Sequence, residues 1–549
     1  MASKSVDYPQ EPFHVHILRD IWSHHLENPR RAAFIDAENE SDFITYGELH
    51  QTVYKIANYL NKNGIKKGDI GSIVLPNSWH YAAFFLGMAA VGGATSGVSP
   101  MGTEYELNRQ ISDSKTSVIL TEKEHLRTVQ AAIRNLSHVK IIIVIDSKDN
   151  DTFGQNVKHW KEVISCEPIF DLNSVHFDLE NDLIALPYSS GTTGVPKGVM
   201  ITHKNYNYLL AAMQQHNVDY IYPYIYPGVD FRKEYGLAFL PFYHAYGFYM
   251  LSGSMSRGVT ELIMKRFNFE LALKLVSKYK IKGLGSVPAI MVLLAKSPLV
   301  DKYDLSSLRA LSSGGAPLSK SLCDEVMKRF PNVISVIQGY GMTEMTCASH
   351  AAKLDGEHCF GSVGQVIPGT EYKIANLSDG SMCKPGEKGE LWVRGPQIMK
   401  GYLGKPKETA EAVDKDGWLH TGDVVYEDDN KNLFICDRIK ELIKVSAYQV
   451  PPAELEGIIL THPNVADASV IGIPDRKHGE LPRAYVVLKK KDGNLQEIVD
   501  FVKGKVSHYK QLKGGIESVD VLPRTPAGKV MRRVLKDNYL KKYVNKSKL

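Results

Sequence analysis

The sequence predicts an α/β protein with a large N-terminal domain and a small α+β domain at its C-terminus. Three observations support this fold class. A chain of 549 residues is too long for one simple hydrophobic core. Through residues 1–436, short β-branched runs alternate with longer helical patterns, which indicates mostly parallel sheets flanked by helices. From Asp437 onward the pattern changes to a compact mixture of strands and helices of ordinary domain size.

The N-terminal domain contains a charge-free stretch, because no Asp, Glu, Lys or Arg lies between Asp69 and Glu104. Pro76 and the pair Gly92-Gly93 interrupt it, so we expect a strand (GSIVLP), a helix (WHYAAFFLGMAAVGG) and a second strand. Both faces of a parallel unit are buried, which explains the missing charge. The sequence therefore predicts no transmembrane segment.

Later segments repeat this alternation of strand and helix. VKIIIVID is predicted to be a strand, and DLIALPYSS another that precedes a helix beginning near His203. TELIMKRF precedes the helical pattern FELALKLVSKYK. The order of these segments favours an extended α/β domain.

The C-terminal domain is predicted to span residues 437–546, with a hinge at Asp437-Arg438. Pro451 and Pro452 open a helix whose first turn carries Glu454, a typical helix N-terminus. The alternating runs ASVIGIP and RAYVVLKKK follow as strands, then the helix LQEIVDFVKGKV, the run VDVLP and the turn RTPAGK. These segments form one compact α+β unit.

Composition narrows the class of function. A net charge of +5 gives no reason to expect a nucleic acid partner. Residues 510–549 hold eleven Lys and Arg against three Asp and Glu, which suits either a solvated basic face or a lid that meets polyphosphates. The six cysteines form no CxxC pair and no zinc-spaced cluster, so we expect reduced thiols.

Both ends of the chain carry information on location. The first residues, MASKSVDYPQEPFHVH, have no apolar run after their charges, so no signal peptide is expected. Ser547-Lys548-Leu549 is a tripeptide that the peroxisomal import receptor reads as an address. We therefore expect a peroxisomal protein whose residues 547–549 bind that receptor.

The segment from Ser189 to Gly198, SSGTTGVPKG, predicts a polyphosphate site. Its glycines allow several backbone N–H groups to converge on one anion, and hydroxyls and one lysine add further donors. This segment does not match the pattern G-x-x-x-x-G-K-[ST], so it is not a Walker A loop. We expect it to connect a buried strand with a helix. The candidate phosphate ligands are Ser189, Ser190, Gly191, Thr192, Thr193, Gly194 and Lys197.

YSSGTTGVPKGV resembles the phosphate loop of the adenylate-forming superfamily, which includes acyl-CoA synthetases, 4-coumarate:CoA ligases, beetle luciferases and peptide-synthetase adenylation domains. The resemblance covers nearly the whole chain, and the luciferase and 4-coumarate ligase branch is the most similar. It continues in order through PFYHAYGF, SSGGAPLS, QGYGMTE, GWLHTGD, DRIKELIK and RTPAGKVMRR. It implies stacked sheets and a distorted barrel in residues 1–436, and a mobile lid in residues 437–546.

The resemblance implies a two-step reaction of a carboxylic acid with ATP and coenzyme A, assisted by Mg²⁺. Glu344 is expected to bind the magnesium ion, Thr343 the α-phosphate, and Asp423 the ribose, with Arg438 nearby. Lys529 is expected to catalyse adenylation, bridging the substrate carboxylate and the α-phosphate. The residues expected around adenine are Gln338, Gly339, Tyr340, Gly341 and Met342 on one side and Gly315, Ala316 and Pro317 on the other.

The same resemblance implies roles in the thioester step. Lys444 and Gln449 match residues that line the pantetheine tunnel. His244 matches a residue at the gate between the acyl pocket and that tunnel, and we expect it on the side of the substrate carboxylate. The chain departs from the common pattern at Ala447, where related enzymes carry glycine. The added methyl group narrows the passage for the thiol arm.

We expect an acyl-CoA synthetase that acts on a fatty or fatty-acid-like acid. A 4-coumarate or other aryl-acid ligase and a luciferase-like monooxygenase stay open as alternatives. Part of the acyl pocket is expected to be lined by small residues, namely Gly314, Gly315, Cys347 and Ala348. Their size does not distinguish an acid with an aliphatic chain from one with an aromatic ring. A non-catalytic nucleotide-binding protein is disfavoured, because Lys529, Glu344 and Asp423 are all present.

Overall fold

A computed structural model describes the chain except residues 1–4, 155, 171–174, 190–195, 316–317, 319, 356–358, 440, 446–447, 476–477, 491–492, 507, 526–529 and 545–549. For residues 448, 449 and 544 only the backbone is described. The described strands form five sheets, four of them before residue 439.

The longest sheet has nine strands and confirms the predicted strand–helix–strand unit at its centre. That unit consists of Ile70–Val74, the helix Trp79–Ala90 and Ala94–Val98, and its two strands pair in parallel. The helix is buried on nearly all sides, which explains its lack of charge. In spatial order the sheet contains 401–402, 197–202, 183–185, 94–98, 70–74, 116–121, 141–144 and 157–159, and 188–189 pairs with 197–202.

Three further sheets complete the N-terminal part. One contains 235–238, 260–263, 32–36 and 43–45, and a second contains 283–286, 310–313, 335–340, 350–351 and 365–366. The third is antiparallel, with strands 371–375, 389–394, 419–427 and 433–438. The α-helices span 13–27, 46–62, 79–90, 104–113, 123–133, 160–164, 203–220, 222–225, 245–257, 269–279, 288–296, 320–329 and 406–412.

The segment around the predicted phosphate loop differs from the expectation. The helix predicted near His203 is confirmed, but a strand that the sequence did not predict, Lys197–Thr202, precedes it and pairs antiparallel with Tyr188–Ser189. The buried β-branched residues Val199 and Ile201 favour the strand. The helix begins only at His203, where Thr202 Oγ1 accepts a hydrogen bond from the Asn205 N–H at 3.3 Å.

The C-terminal part has its own sheet and hydrophobic core. Its strands are 448–450, 443–445, 479–488, 465–475 and 516–518, and its helices are 452–460, 495–503 and 532–539, followed by a π-helical turn at 540–544. The predicted helix start at Pro452 is confirmed. The strand expected at VDVLP is shifted, because Ile516–Ser518 pairs with 479–488 instead. The core of this unit draws on residues 443–516.

The proposed hinge lies at the end of a strand. Leu433–Arg438 pairs with Leu419–Glu427, and the Ile439 N–H still donates to the Gly422 carbonyl at 2.8 Å just after the strand ends. The domain boundary itself stays a prediction. No helix in the described part of the chain combines the length and apolar character needed to cross a bilayer. All six cysteines are free thiols.

Candidate active site

A cavity of about 1120 Å³ gathers most of the predicted site residues that the structure describes. The C-terminal part contributes Thr525, four positions before Lys529 in the chain. The predicted residues along the wall are Ser189, Lys197, His244, Gly315, Gln338, Gly339, Tyr340, Gly341, Met342, Thr343, Glu344 and Arg438.

Parallel strands bring two of these segments together. Strands 310–313 and 335–340 are neighbours, and the residues that follow their carboxyl ends form the wall of the cavity. Gly315 adopts a φ of +79°, a conformation that favours glycine. Gly341 is required for a different reason, since a Cβ there would lie 1.5 Å from the carbonyl oxygen of Cys347. Both glycines therefore allow the backbone, rather than side chains, to face the cavity.

Glu344 is held by two hydroxyl groups. Its Oε1 accepts hydrogen bonds from Ser189 Oγ at 2.7 Å and from Tyr402 OH at 2.9 Å, and the residue is only 2% exposed. Its Oε2 has no hydrogen-bond partner among the described residues. Carboxylate oxygens are the ligands that Mg²⁺ prefers. A fixed carboxylate with one free oxygen therefore fits the predicted magnesium role.

Lys197 supplies a buried positive charge beside this carboxylate. It lies opposite Ser189 in the paired strands, and its Nζ is 4.1 Å from the ring centroid of Tyr402. It forms no ion pair within the described part of the chain. An unpaired lysine in a cavity wall suits an anionic ligand such as a phosphate.

Asp423 is engaged through both oxygens. Its Oδ2 accepts a hydrogen bond from Tyr340 OH at 2.6 Å, and its Oδ1 lies 3.1 Å from Arg438 Nε. Burial and the nearby carboxylate raise the pKa of Tyr340 well above its usual range. Burial opposes the charge of Arg438, but Asp423 and Glu441 outweigh it and raise the pKa of Arg438. Asp423 sits behind the wall, whose surface is formed here by Thr421 and Gly422.

His244 lines the cavity at the start of the helix Ala245–Arg257. Its Nε2 is buried without a hydrogen-bond partner, and burial lowers the pKa of His244 to about 4. The imidazole is therefore neutral near pH 7. A neutral imidazole with a free nitrogen can hydrogen-bond a substrate group that enters the cavity.

Several predicted residues are not brought to the cavity. Lys444 is exposed on strand 443–445 of the C-terminal sheet, where its N–H donates to Glu480. Its predicted part in the thioester step stays a prediction. Outside the described residues are Ser190, Gly191, Thr192, Thr193, Gly194, Ala316, Pro317, Ala447, Lys529 and Ser547-Lys548-Leu549, together with the side chain of Gln449.

Sequence reasoning missed Tyr402, which contacts both Glu344 and Lys197. The strand Gly401–Tyr402 pairs antiparallel with Lys197–Thr202 and so carries the ring to the phosphate segment. The only sequence signal is an aromatic residue within the polar run MKGYLGKPKE. That signal does not point to a site.

Known enzymes that bind ATP or AMP resemble this chain in sequence and in fold. Residues 22–403 match the family described as AMP-binding enzyme, and residues 454–529 match the AMP-binding enzyme C-terminal domain. Acyl-CoA synthetase 7 of Caenorhabditis elegans is 41% identical over 532 residues, which are 96% of each chain. 4-Coumarate–CoA ligase 1 of Petroselinum crispum is 39% identical over 507 residues, which are 90% of this chain and 88% of that one. ATP-bound MatB from Rhodopseudomonas palustris superimposes with a TM-score of 0.83 at 25% identity, covering 97% of this chain and 100% of that chain.

Proposed function

The chain belongs to the AMP-binding enzyme family, as an AMP-forming acid–CoA ligase, and we propose that it activates a fatty or fatty-acid-like carboxylic acid. The observation that carries this proposal is a single cavity with two different ends. One end holds Glu344, Lys197 and the backbone of Gly339–Met342. The other continues along the helix Ala245–Arg257 between apolar side chains such as Met250, Leu284 and Ile337.

In the first step the acid attacks the α-phosphate of ATP and pyrophosphate leaves. Two anions must approach each other, so positive charge and hydrogen-bond donors are needed where negative charge accumulates. Lys197 lies where it can stabilise the phosphates, and Glu344 is oriented by Ser189 and Tyr402. Mg²⁺, when bound at Glu344, would offset the charge of the leaving pyrophosphate.

His244 is the residue that we assign to the substrate carboxylate. It begins the helix that lines the acyl end, and its buried Nε2 has no partner in the protein. As a neutral imidazole it can donate one hydrogen bond without forming a fixed ion pair. This arrangement orients the carboxylate yet leaves it reactive.

Lys529 is assigned to the adenylation step by the resemblance of RTPAGKVMRR, and Thr525 in the cavity wall supports the assignment. We expect Lys529→Ala to lower acyl-AMP formation by about 10²–10³-fold, the loss typical of one preorganised donor. Thioester formation from supplied acyl-AMP should be largely spared. Lys541→Ala, an exposed lysine of the same domain, is the matched control. Equal loss of both half-reactions would contradict the assignment.

Coenzyme A as second substrate and a peroxisomal location are parts of the same proposal. The thioester step is supported by the family and by Lys444 and Gln449, while Ala447 departs from the usual glycine. Deletion of Ser547-Lys548-Leu549 should move the protein to the cytosol. An unchanged location would refute the targeting proposal.

An aryl-acid ligase is the second candidate, supported by the identity with the Petroselinum crispum enzyme. A luciferase-like monooxygenase is the third. Pyrophosphate release, measured with CoA over fatty acids of graded length and over cinnamic acids, tests the substrate class. Turnover confined to cinnamic acids would replace the fatty acid proposal by the aryl-acid one, and oxygen-dependent light emission would favour the third.

A further inference from the structure

The far end of the acyl cavity contains a partly buried cation that the proposed reaction does not use. Arg257 is the last residue of the helix Ala245–Arg257, and its side chain lines the cavity. Tyr246, Met250 and Ser254 lie on the same helix face at intervals of one turn and line the cavity as well. The helix thus runs beside the channel from His244 at one end to Arg257 at the other.

The guanidinium group folds back toward the reactive end. A Cβ placed on Gly253 would lie 2.8 Å from Arg257 Nη1, so the group covers Gly253 one turn before its own Cα. Eight residues separate Gly253 from Ala245, which corresponds to about 12 Å along the helix axis. A helix-interior glycine weakens a helix, and here its missing side chain makes room for the guanidinium.

The Arg257 guanidinium lies 5.7 Å from the centroid of the Phe231 ring, and it has no hydrogen-bond or ion-pair partner among the described residues. The neighbouring carboxylates form hydrogen bonds or ion pairs with other groups. Burial opposes the charge of Arg257, but Tyr222, Tyr249 and Glu261 outweigh it and raise the pKa of Arg257. Glu261 accepts a hydrogen bond from Ser254, and burial raises the pKa of Glu261, which disfavours its charged form. Asp230 pairs with Arg232 at 2.8 Å and Glu234 with Lys282 at 2.5 Å. The guanidinium therefore lines the cavity with hydrogen-bond donors that no described residue uses, and these donors suit an anionic ligand.

A tyrosine hydroxyl adds a second donor at this end. Tyr226 OH forms no hydrogen bond among the described residues, and Gly283 leaves room for it, since a Cβ there would lie 2.1 Å from that oxygen. Tyr222 and Tyr249 also line the cavity beside Arg257, but Tyr222 OH donates to Gln214 at 3.4 Å and Tyr249 hydrogen-bonds Asn217. Arg257 and Tyr226 are therefore the donors that remain free.

We propose that Arg257 and Tyr226 bind a second carboxylate at the far end of the substrate, so that the preferred acid is an α,ω-dicarboxylic acid of medium chain length. This inference rests on the proposed acid–CoA ligase function and names its substrate class. The guanidinium would bind the terminal carboxylate by charge-assisted hydrogen bonds. The apolar middle of the channel would hold the methylene chain, and the other carboxylate would lie at His244 for adenylation.

The specificity would arise because a monocarboxylic acid loses binding free energy at the far end of the cavity. A monocarboxylic acid of the same length would bring a methyl group against the guanidinium and Tyr226 OH, and both donors would stay buried and unpaired. A dicarboxylic acid satisfies both donors.

Pyrophosphate release with decanoic acid and with decanedioic acid, in the presence of ATP, Mg²⁺ and CoA, tests the inference. We expect kcat/KM for decanedioic acid to exceed that for decanoic acid by about tenfold or more, the effect of one charge-assisted hydrogen bond. Arg257→Met should abolish or reverse this ratio, and Tyr226→Phe should reduce it. Arg232→Met, which removes a nearby arginine already paired with Asp230, should leave the ratio unchanged.

The ratio separates specificity from a structural role, because a merely structural arginine would affect both acids equally. A wild-type enzyme that prefers decanoic acid, or an equal loss for both acids in Arg257→Met with Tyr226→Phe unchanged, would overturn the inference. Absence of pyrophosphate release with either acid and with every fatty and cinnamic acid of the screen would refute the proposed function instead.

Discussion

At the scale of single residues, the orientation of Glu344 depends on side chains that are distant in sequence. Its Oε1 is fixed by Ser189, 155 positions earlier, and by Tyr402, 58 positions later. The motif QGYGMTE predicts the carboxylate, and the phosphate segment predicts Ser189. Tyr402 was not predictable, because its role arises from the pairing of strands 401–402 and 197–202, which no local pattern encodes.

Tyr402→Phe tests this contact. The change keeps the ring above Lys197 but removes the hydroxyl that donates to Glu344, so the carboxylate should lose part of its orientation. Hydrogen bonds to charged groups contribute about 1.5–3 kcal/mol, so we expect kcat/KM for pyrophosphate release to fall about tenfold or more. The Mg²⁺ concentration required for half-maximal rate should rise.

Tyr372→Phe is the matched control. Tyr372 OH donates a hydrogen bond of 2.5 Å to Glu427, and neither residue lines the cavity. It should alter stability but not the Mg²⁺ dependence. Identical Mg²⁺ curves for Tyr402→Phe and the wild type would show that the hydroxyl does not position the metal ligand.

At the scale of secondary-structure elements, the junction of the two parts is a strand end joined to a helix start. Asp437 is the next-to-last residue of the strand Leu433–Arg438. Its Oδ2 accepts a hydrogen bond of 3.0 Å from the N–H of Ala453, which lies in the first turn of the helix Pro452–Leu460. Its Oδ1 accepts from Arg438 N–H at 2.8 Å. Burial raises the pKa of Asp437 to about 6. One carboxyl group thus links Arg438 at the cavity with the first helix of the C-terminal part, Pro452–Leu460.

Asp437→Ala should therefore weaken both the helix start and the junction. Removing such an acceptor typically costs about 1 kcal/mol of stability. Asn494→Ala provides a control of similar cost, because Asn494 Oδ1 accepts from Gln496 N–H at 3.0 Å at the start of another helix in the same domain. Melting temperature should fall in both variants, while the rates of the two half-reactions should change only in Asp437→Ala. Equal half-reaction rates in the two variants would contradict a role for the junction.

Element boundaries were predictable where capping chemistry is local. Pro452 predicts its helix start correctly, and Pro76 and the pair Gly92-Gly93 divide the charge-free stretch correctly. The strand Lys197–Thr202 was not predictable, because its pairing with strands 188–189, 183–185 and 401–402 is a long-range effect. Tertiary pairing outweighs local composition in this segment.

At the scale of the whole molecule, buried histidines predict sensitivity to acid. Burial lowers the pKa of His14, His80 and His350 to about 3 and that of His50, His203 and His244 to about 4. The unfolded chain takes up these protons near pH 6.5, whereas the folded chain does not until pH 4 or below. Between these values the unfolded state binds more protons, so the stability falls as the pH falls.

The urea midpoint of unfolding should accordingly drop between pH 7 and pH 5, within the window that those pKa values define. His80→Phe keeps a ring against Trp79, at a centroid distance of 3.6 Å in the wild type, but removes one titrating group. The slope of the free energy of unfolding against pH gives the number of protons taken up on unfolding, and this number should be smaller by about one in the variant. Parallel pH curves for His80→Phe and the wild type would contradict the assignment of a neutral His80 in the folded state.

The cavity brings the two substrates together, since ATP and the acid must meet between Glu344 and His244. In the proposed reaction, ATP and the acid form an enzyme-bound acyl-adenylate before CoA takes part. Exchange of labelled pyrophosphate into ATP, measured with a substrate acid but without CoA, tests this claim most directly. We expect exchange that requires the acid and Mg²⁺ and that is lost in Lys529→Ala. An acid that is converted to its CoA thioester but supports no exchange in the absence of CoA would contradict it.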